Sequence, residues 1–418
     1  MSAAYPSRFR HPLVDPDPLV SRQYLRLYPA GLAAPLEGQI ELLRSALSRG
    51  DPLADDWLAC SQALGAATSD RLFESALSCG IDRVEDAPAA LSALFRQLET
   101  VPLWLDTERL RNGAQVCRRV GLIGTIVLSD FALLGGYRSA AVAKTLIGTG
   151  KLRDDVAKRL TSTRRFVTTV TEPGDMLRGR AGYEAAVRVR MVHAHVRAGL
   201  LGRPSWRSDV WGLPINQADM LSTNLLFSIG YVDASRKWGF RFSGSEVEDV
   251  LHLWRYIGYV LGIEDVLLPG HAASARTALY AVGVSQPSPD ADSATLAQAL
   301  QKLPLSFAKK GIAKPFAQFE MELRMAMTRN IFGDQAIEQL GLPRSRLGLL
   351  LPPLVAGIGL LEIARQTIPF GSYAAYKMGS FALHAMDRML AAAVEQQRAR
   401  LDRAKPPARP DLTVARPA

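Results

Sequence analysis

Cysteine is scarce. Cys60, Cys79 and Cys117 are the only three in 418 residues, they lie far apart, and none belongs to a C-x-x-C pair. A disulfide framework or a structural zinc site is therefore not expected, and a reducing compartment fits. Aromatic residues make up 7% of the chain, and alternating Val/Ile segments of strand type are few. There is no G-x-S-x-G, no phosphate-cradling Gly-rich loop and no G-x-G-x-x-G after a strand. Hydrolase, kinase and nicotinamide-dependent chemistries thus have no sequence handle. The opening residues carry no apolar core ahead of a small-residue cleavage site, so the sequence predicts no export signal and a cytoplasmic protein.

What is present is an ordinary globular balance, 48% hydrophobic and 22% charged, enough to bury a core unaided. The net charge of +10 comes without a compact Lys/Arg run interleaved with aromatics. Nucleic-acid binding is accordingly not expected. Six of the cations lie in the last 28 residues.

Helical spacing dominates, and it predicts an all-α fold in a single large domain. Residues 1–35, rich in Pro and Arg, read as an extended arm lying on the body. Residues 36–395 read as the helical domain, and 396–418 as a disordered basic tail. Glu172-Pro173-Gly174-Asp175 marks a turn between two helices, and Ser243 followed by Glu246 marks a helix start. Two apolar runs bear on membranes. Val120–Gly136 is interrupted by Asp130; Leu347–Leu361 is short and contains Pro352-Pro353. Both read as buried core helices rather than spans, with peripheral membrane contact as the alternative for the second.

The most informative segment is Gly182–Leu200, GYEAAVRVRMVHAHVRAGL. On a helix, Ala185, Val189, Val192, Val196 and Leu200 share a stripe about 80° wide, with His193 at its edge and His195 roughly 200° away. Two histidines so separated cannot chelate one metal, which leaves His193 as the inward candidate. Arg190 and Arg197 flank it at i−3 and i+4. An imidazole between two guanidinium groups suits a haem, with nitrogen on iron and cations on propionates. The plainer reading is a core-edge histidine bonded to a carbonyl beside two solvent arginines, and periodicity alone favours it. Glu248 and His252 could share a metal, but no second Glu/His pair accompanies them, and a structural histidine is the simpler reading. His11, His271 and His384 stand in isolated contexts. Asn216–Asp219 could shape a pocket entrance or open a helix.

RMVHAHVR (Arg190–Arg197), PINQADML (Pro214–Leu221), KWGFRF (Lys237–Phe242) and VLHLW (Val250–Trp254) occur in that order. This succession, spanning about Asp154 to Pro269, resembles the catalytic core of the latex clearing proteins and of the fungal MpaB oxygenases. The resemblance implies a helical fold with a globin-like core, haem b, and His193 as the proximal iron ligand. It also implies a distal arginine, lysine and threonine in R-x-x-K-T. Here Arg159 and Thr163 match, but Ser162 replaces the lysine, and Ser139–Gly150 lacks the acid some members carry there. The implied activity is a haem-dependent oxygenase that uses dioxygen on a small apolar alkene and cleaves C=C to carbonyls, with the electron donor unspecified. A peroxygenase, a gas-binding protein and a cofactor-free scaffold at a membrane surface are the alternatives.

Overall fold

The computed structural model describes residues 5–28, 31–148, 156–307 and 313–404. Among them there is no strand. One hydrophobic cluster runs from Tyr24 through to Ile358 and joins nearly every helix. The body includes α1 (Pro18–Leu27), α2 (Pro52–Leu64), α3 (Thr107–Arg119) and α4 (Gly121–Val127). They continue with α5 (Val156–Val170), α6 (Ala181–Leu201), α7 (Gln217–Leu225) and α8 (Gly244–Val260). The chain closes with α9 (Ala313–Phe332), α10 (Leu351–Thr367) and α11 (Gly371–Ala404).

Local chemistry explains most boundaries. Asp17 and Asp51 cap α1 and α2, each followed by a proline in the first turn. Gly50-Asp51-Pro52, which resembles a stop, is therefore also a start. Ser243 and Glu246 form a reciprocal capping box on α8. α3 and α8 lie so close that a Cβ on Gly113 would stand 2.2 Å from the Asp249 carbonyl oxygen. The chain turns by 90° between α3 and α4, at Gly121 with φ +62°.

Several expectations need correction. The N-terminal segment does lie on the body, through Ser7 N–H to Asp209 O at 2.9 Å and a buried Arg8–Asp219 pair at 2.7 Å. It is not an extended arm, however, because Asp17 and Pro18 start α1 within it. The helix of α11 continues through Ala404, so residues 396–404 are not a disordered tail; 405–418 lie outside the described residues. Val120–Gly136 is not one regular helix, since α4 passes into a π-helical turn at Leu128–Leu133. Leu347–Leu361 is not a buried core helix. Pro352 and Pro353 sit in the first turn of α10, where prolines are tolerated; Leu349, Leu350, Leu360 and Leu361 are exposed, and Leu351 is buried.

Candidate functional site

The histidine helix α6 is rotated relative to the expected stripe. Its buried face carries Tyr183, Ala186, Val187, Arg190, Ala194 and Arg197, and of the expected stripe only Leu200. Val192 is 55% exposed, while Ala185, Val189 and Val196 are half-buried. The rotation has a charge-pairing cause. Arg190 Nε and Nη2 donate to the two Asp51 oxygens at 2.6 and 2.9 Å, and Nη1 donates to Gln97 at 2.6 Å. Arg197 Nη2 donates to Asp55 at 2.8 Å and its Nη1 to the Ile215 carbonyl at 2.9 Å. Both carboxylates belong to the start of α2, where the helix dipole adds to their hold. Gly262, at φ +87°, lets the chain pass this cluster; a Cβ there would lie 2.3 Å from Asp51 Oδ2.

Arg190 and Arg197 are therefore neither solvent cations nor free partners for propionates. Their guanidinium groups are already matched by carboxylates inside the protein.

His193 keeps its expected place at the edge of the buried face, half-buried and beside that valine stripe. Its Nδ1 is shielded and has no hydrogen-bond partner among the described residues. Burial, reinforced by the nearby Arg197 charge, pushes the imidazole down to about 4. The ring is thus neutral at ordinary pH with a lone pair to offer, the state a metal ligand requires. His195 is exposed on the other side, its Nδ1 2.8 Å from the Met191 carbonyl.

α5 packs against α6 and carries the three distal candidates. Thr163 lines a cavity of about 520 Å³. Arg159 is half-buried, and its Nη2 donates to the Tyr137 hydroxyl at 3.3 Å. Ser162 is exposed and does not line the cavity. The structure therefore brings only Thr163 of the three to the cavity wall.

That wall was only partly foreseeable. It combines α5 with two adjoining π-turns, Leu128–Leu133 and Leu226–Gly230, and with α9. Extra residues inserted into a helix in this way are frequent at functional sites. Asp130, within the first π-turn, is buried and pairs with buried Arg324 of α9 at 2.5 Å. The lone acid in an otherwise apolar run was the available signal. Asp130 itself is not in the cavity lining; Glu320, one turn before Arg324 on α9, brings a carboxylate there. Most of the remaining lining is apolar, including Leu160, Val167 and Phe227.

No group of three or more metal-ligating side chains occurs among the described residues. The donor set therefore does not fit a bare ion held by the protein alone. A single neutral imidazole suits instead a metal carried within a larger cofactor, which His193 would help to hold. Glu248 and His252 are structural: His252 Nε2 accepts the Asp106 N–H at 3.0 Å, and Glu248 accepts the Ala272 N–H at 3.0 Å. Asn216 caps α7 by accepting the Asp219 N–H at 2.9 Å, and Asp219 pairs with Arg8. That stretch opens a helix and does not reach the cavity.

His193 and the rest of α6 lie outside the cavity lining, behind α5, which lines it. An all-helical body with this neutral, unpartnered histidine and a separate largely apolar cavity defines a class that known proteins make specific. Residues 118–357 match the family described as ER-bound oxygenase mpaB/B'/Rubber oxygenase, catalytic domain. The match covers more than half of the chain, and the protein belongs to that oxygenase family. The rubber oxygenase of Streptomyces sp. (strain K30) is 27% identical over 197 residues, 46% of this chain and 47% of that protein. The chain thus matches about half the length of this curated relative. The solved structure of latex clearing protein in the closed state aligns with a TM-score of 0.62 at 21% identity. The alignment covers 82% of this chain and 91% of that one, and it establishes the shared helical fold.

Proposed function

We propose that this chain is a haem b-dependent oxygenase that adds both atoms of dioxygen across the C=C bond of a small apolar alkene, leaving two carbonyl fragments. The observation that carries the reading is His193. It is a neutral imidazole with an unpartnered, shielded Nδ1, set beside a half-buried valine stripe, in a chain of the rubber oxygenase family. A bound haem would supply the iron redox chemistry that dioxygen activation needs.

The protein's own part follows from its residues. His193 would hold the iron from one side, and Val189, Val192 and Val196 would cover the flat apolar ring. The Thr163 hydroxyl faces the cavity as a hydrogen-bond donor where negative charge develops on oxygen. Arg159, one turn away, adds positive charge to that end of α5. The cavity, at about 520 Å³, falls within the range that small-molecule sites occupy. Its mostly apolar walls favour an isoprenoid-sized alkene. Ser162 in place of the family lysine, with no acid in Ser139–Gly150, argues for a substrate other than the polymer that the relative's name describes.

The test is an absorption spectrum of protein expressed with ample haem, before and after dithionite. The expected result is a Soret band that shifts on reduction and is lost in His193→Ala. Full haem occupancy in that variant would remove His193 from the iron. Arg159→Ala should keep the Soret band and lower substrate-coupled oxygen consumption at least about tenfold, the scale of one lost donor or charge; unchanged turnover would exclude Arg159 from the reaction.

A further inference from the structure

α10 is inside out. Its buried side carries Leu351 and Ile358, but also Glu362 and Arg365, which bond to each other at 3.1 Å. Glu362 accepts the Arg241 N–H at 3.0 Å, and Arg365 donates to the Arg241 carbonyl at 3.2 Å and to Ser372 at 2.7 Å. Its outer side has no charge from Leu347 to Leu361, and Leu360 and Leu361 are 67% and 72% exposed. Leu349 and Leu350 extend this face at the helix start. Phe370, at the turn into α11, is 84% exposed and held at φ +60°, a conformation bulky residues rarely adopt. Along α11, Met378, Phe381 and Met389 continue the apolar surface to Met386, which lines the cavity. A continuous exposed apolar surface of this kind marks an interaction site.

The charge around it identifies the partner. The Arg346, Lys377 and Arg388 side chains have no ion-pair partner among the described residues; of the acids nearby, Glu362 and Asp387 are paired with arginines, and Glu322 accepts the Arg346 N–H at 3.3 Å. The Lys377 ammonium lies 5.3 and 5.5 Å from the rings of Tyr373 and Tyr376. Amphipathic rings beside a cation on a long apolar stem match the headgroup level of a bilayer. A second copy of the chain fits poorly, because a twofold contact would bring both sets of these unpaired cations into one interface, with Glu362 and Asp387 on each side already engaged.

We propose that the α10–α11 hairpin docks on an anionic lipid bilayer. Leu360, Leu361 and Phe370 enter the acyl boundary, and Arg346, Lys377 and Arg388 meet the lipid phosphates. One face of α10 is held by the body through Glu362 and Arg365, so the hairpin lies on the membrane and does not cross it, although Leu347–Thr367 is long and apolar enough to do so. The proposal is independent of the haem assignment, since vesicle binding requires neither cofactor nor turnover.

The experiment is flotation of the full chain with phosphatidylcholine vesicles made with and without phosphatidylglycerol, alongside sedimentation velocity without lipid. The expected result is a monomer that floats with the mixed vesicles. The paired change Leu360→Asp and Leu361→Asp should weaken binding at least about tenfold, and Phe370→Asp should do so independently. Arg346→Glu with Lys377→Glu should abolish the preference for anionic lipid. Leu103→Asp, at an exposed leucine elsewhere, should change nothing. Absence of flotation overturns the proposal, as does flotation indifferent to the leucine and phenylalanine changes. A dimer that the leucine changes dissolve, without flotation, would make a second copy the occupant.

Discussion

α6 and α10 both break the rule that helices bury apolar residues and expose charged ones, and they break it for different ends. α6 buries Arg190 and Arg197 against two aspartates of α2 and leaves a narrow valine stripe half-covered beside His193. α10 buries one Glu–Arg pair and leaves a broad, largely exposed leucine face. The width of the uncovered apolar surface is the informative difference. A stripe one helix face wide, next to an unpartnered nitrogen, matches a flat ligand. A face that runs along two helices and is bordered by cations matches a surface.

The comparison breaks most sharply at Asp51. Arg190 and Asp51 are both almost fully buried, so Asp51→Ala would strand a guanidinium in the interior. The expected loss is about 3–5 kcal/mol in urea unfolding, because the remaining charge loses its partner and cannot regain its water. Replacing both, with Arg190→Met and Asp51→Leu, should recover most of that loss, since buried pairs are often no better than apolar substitutes. A single-variant loss below about 1 kcal/mol would mean that Arg190 escapes to solvent and that charge does not set the rotation of α6.

A second test separates the two helices mechanically. Gly379 of α11 lies against α3 so closely that a Cβ would stand 2.1 Å from the Arg118 carbonyl oxygen. Gly379→Ala is expected to cost about 1–3 kcal/mol, because backbone cannot yield as a flexible side chain can. Amide exchange should accelerate in α10 and α11 and remain unchanged in α6. Acceleration in both would show that the two regions share one cooperative unit.

The sequence was a good guide where local chemistry decides and a poor one where pairing across the fold decides. Helical content, the Glu172–Asp175 turn and the Ser243 cap rest on neighbouring residues, and all are present. The place of His193 at the margin of a buried face was also legible from spacing. Which face is buried was not, because Asp51 and Asp55 lie more than a hundred residues upstream and convert two arginines from solvent-facing into interior groups. The same blindness applies to α10. Its leucines read as core by composition, yet Glu362 and Arg365 already claim the inside. The cavity needed two π-turns to shape it, and periodicity at 3.6 residues per turn carries no sign of those.

The smallest effect is the one that separates an outward face from an inward one on the same helix. Ile358 is buried against the body, so Ile358→Ala should cost roughly 2 kcal/mol or more through lost contacts and a residual cavity. Leu360 lies two residues on, at about 200° round the helix, and touches little of the protein. Leu360→Asp, measured in dilute solution without lipid, should therefore change unfolding by no more than about 0.5 kcal/mol. A loss comparable to that of Ile358→Ala would mean the leucine face is already covered in solution. The contrast between a ligand-sized stripe and a membrane-sized face would then have to be redrawn as one between a ligand site and a subunit interface.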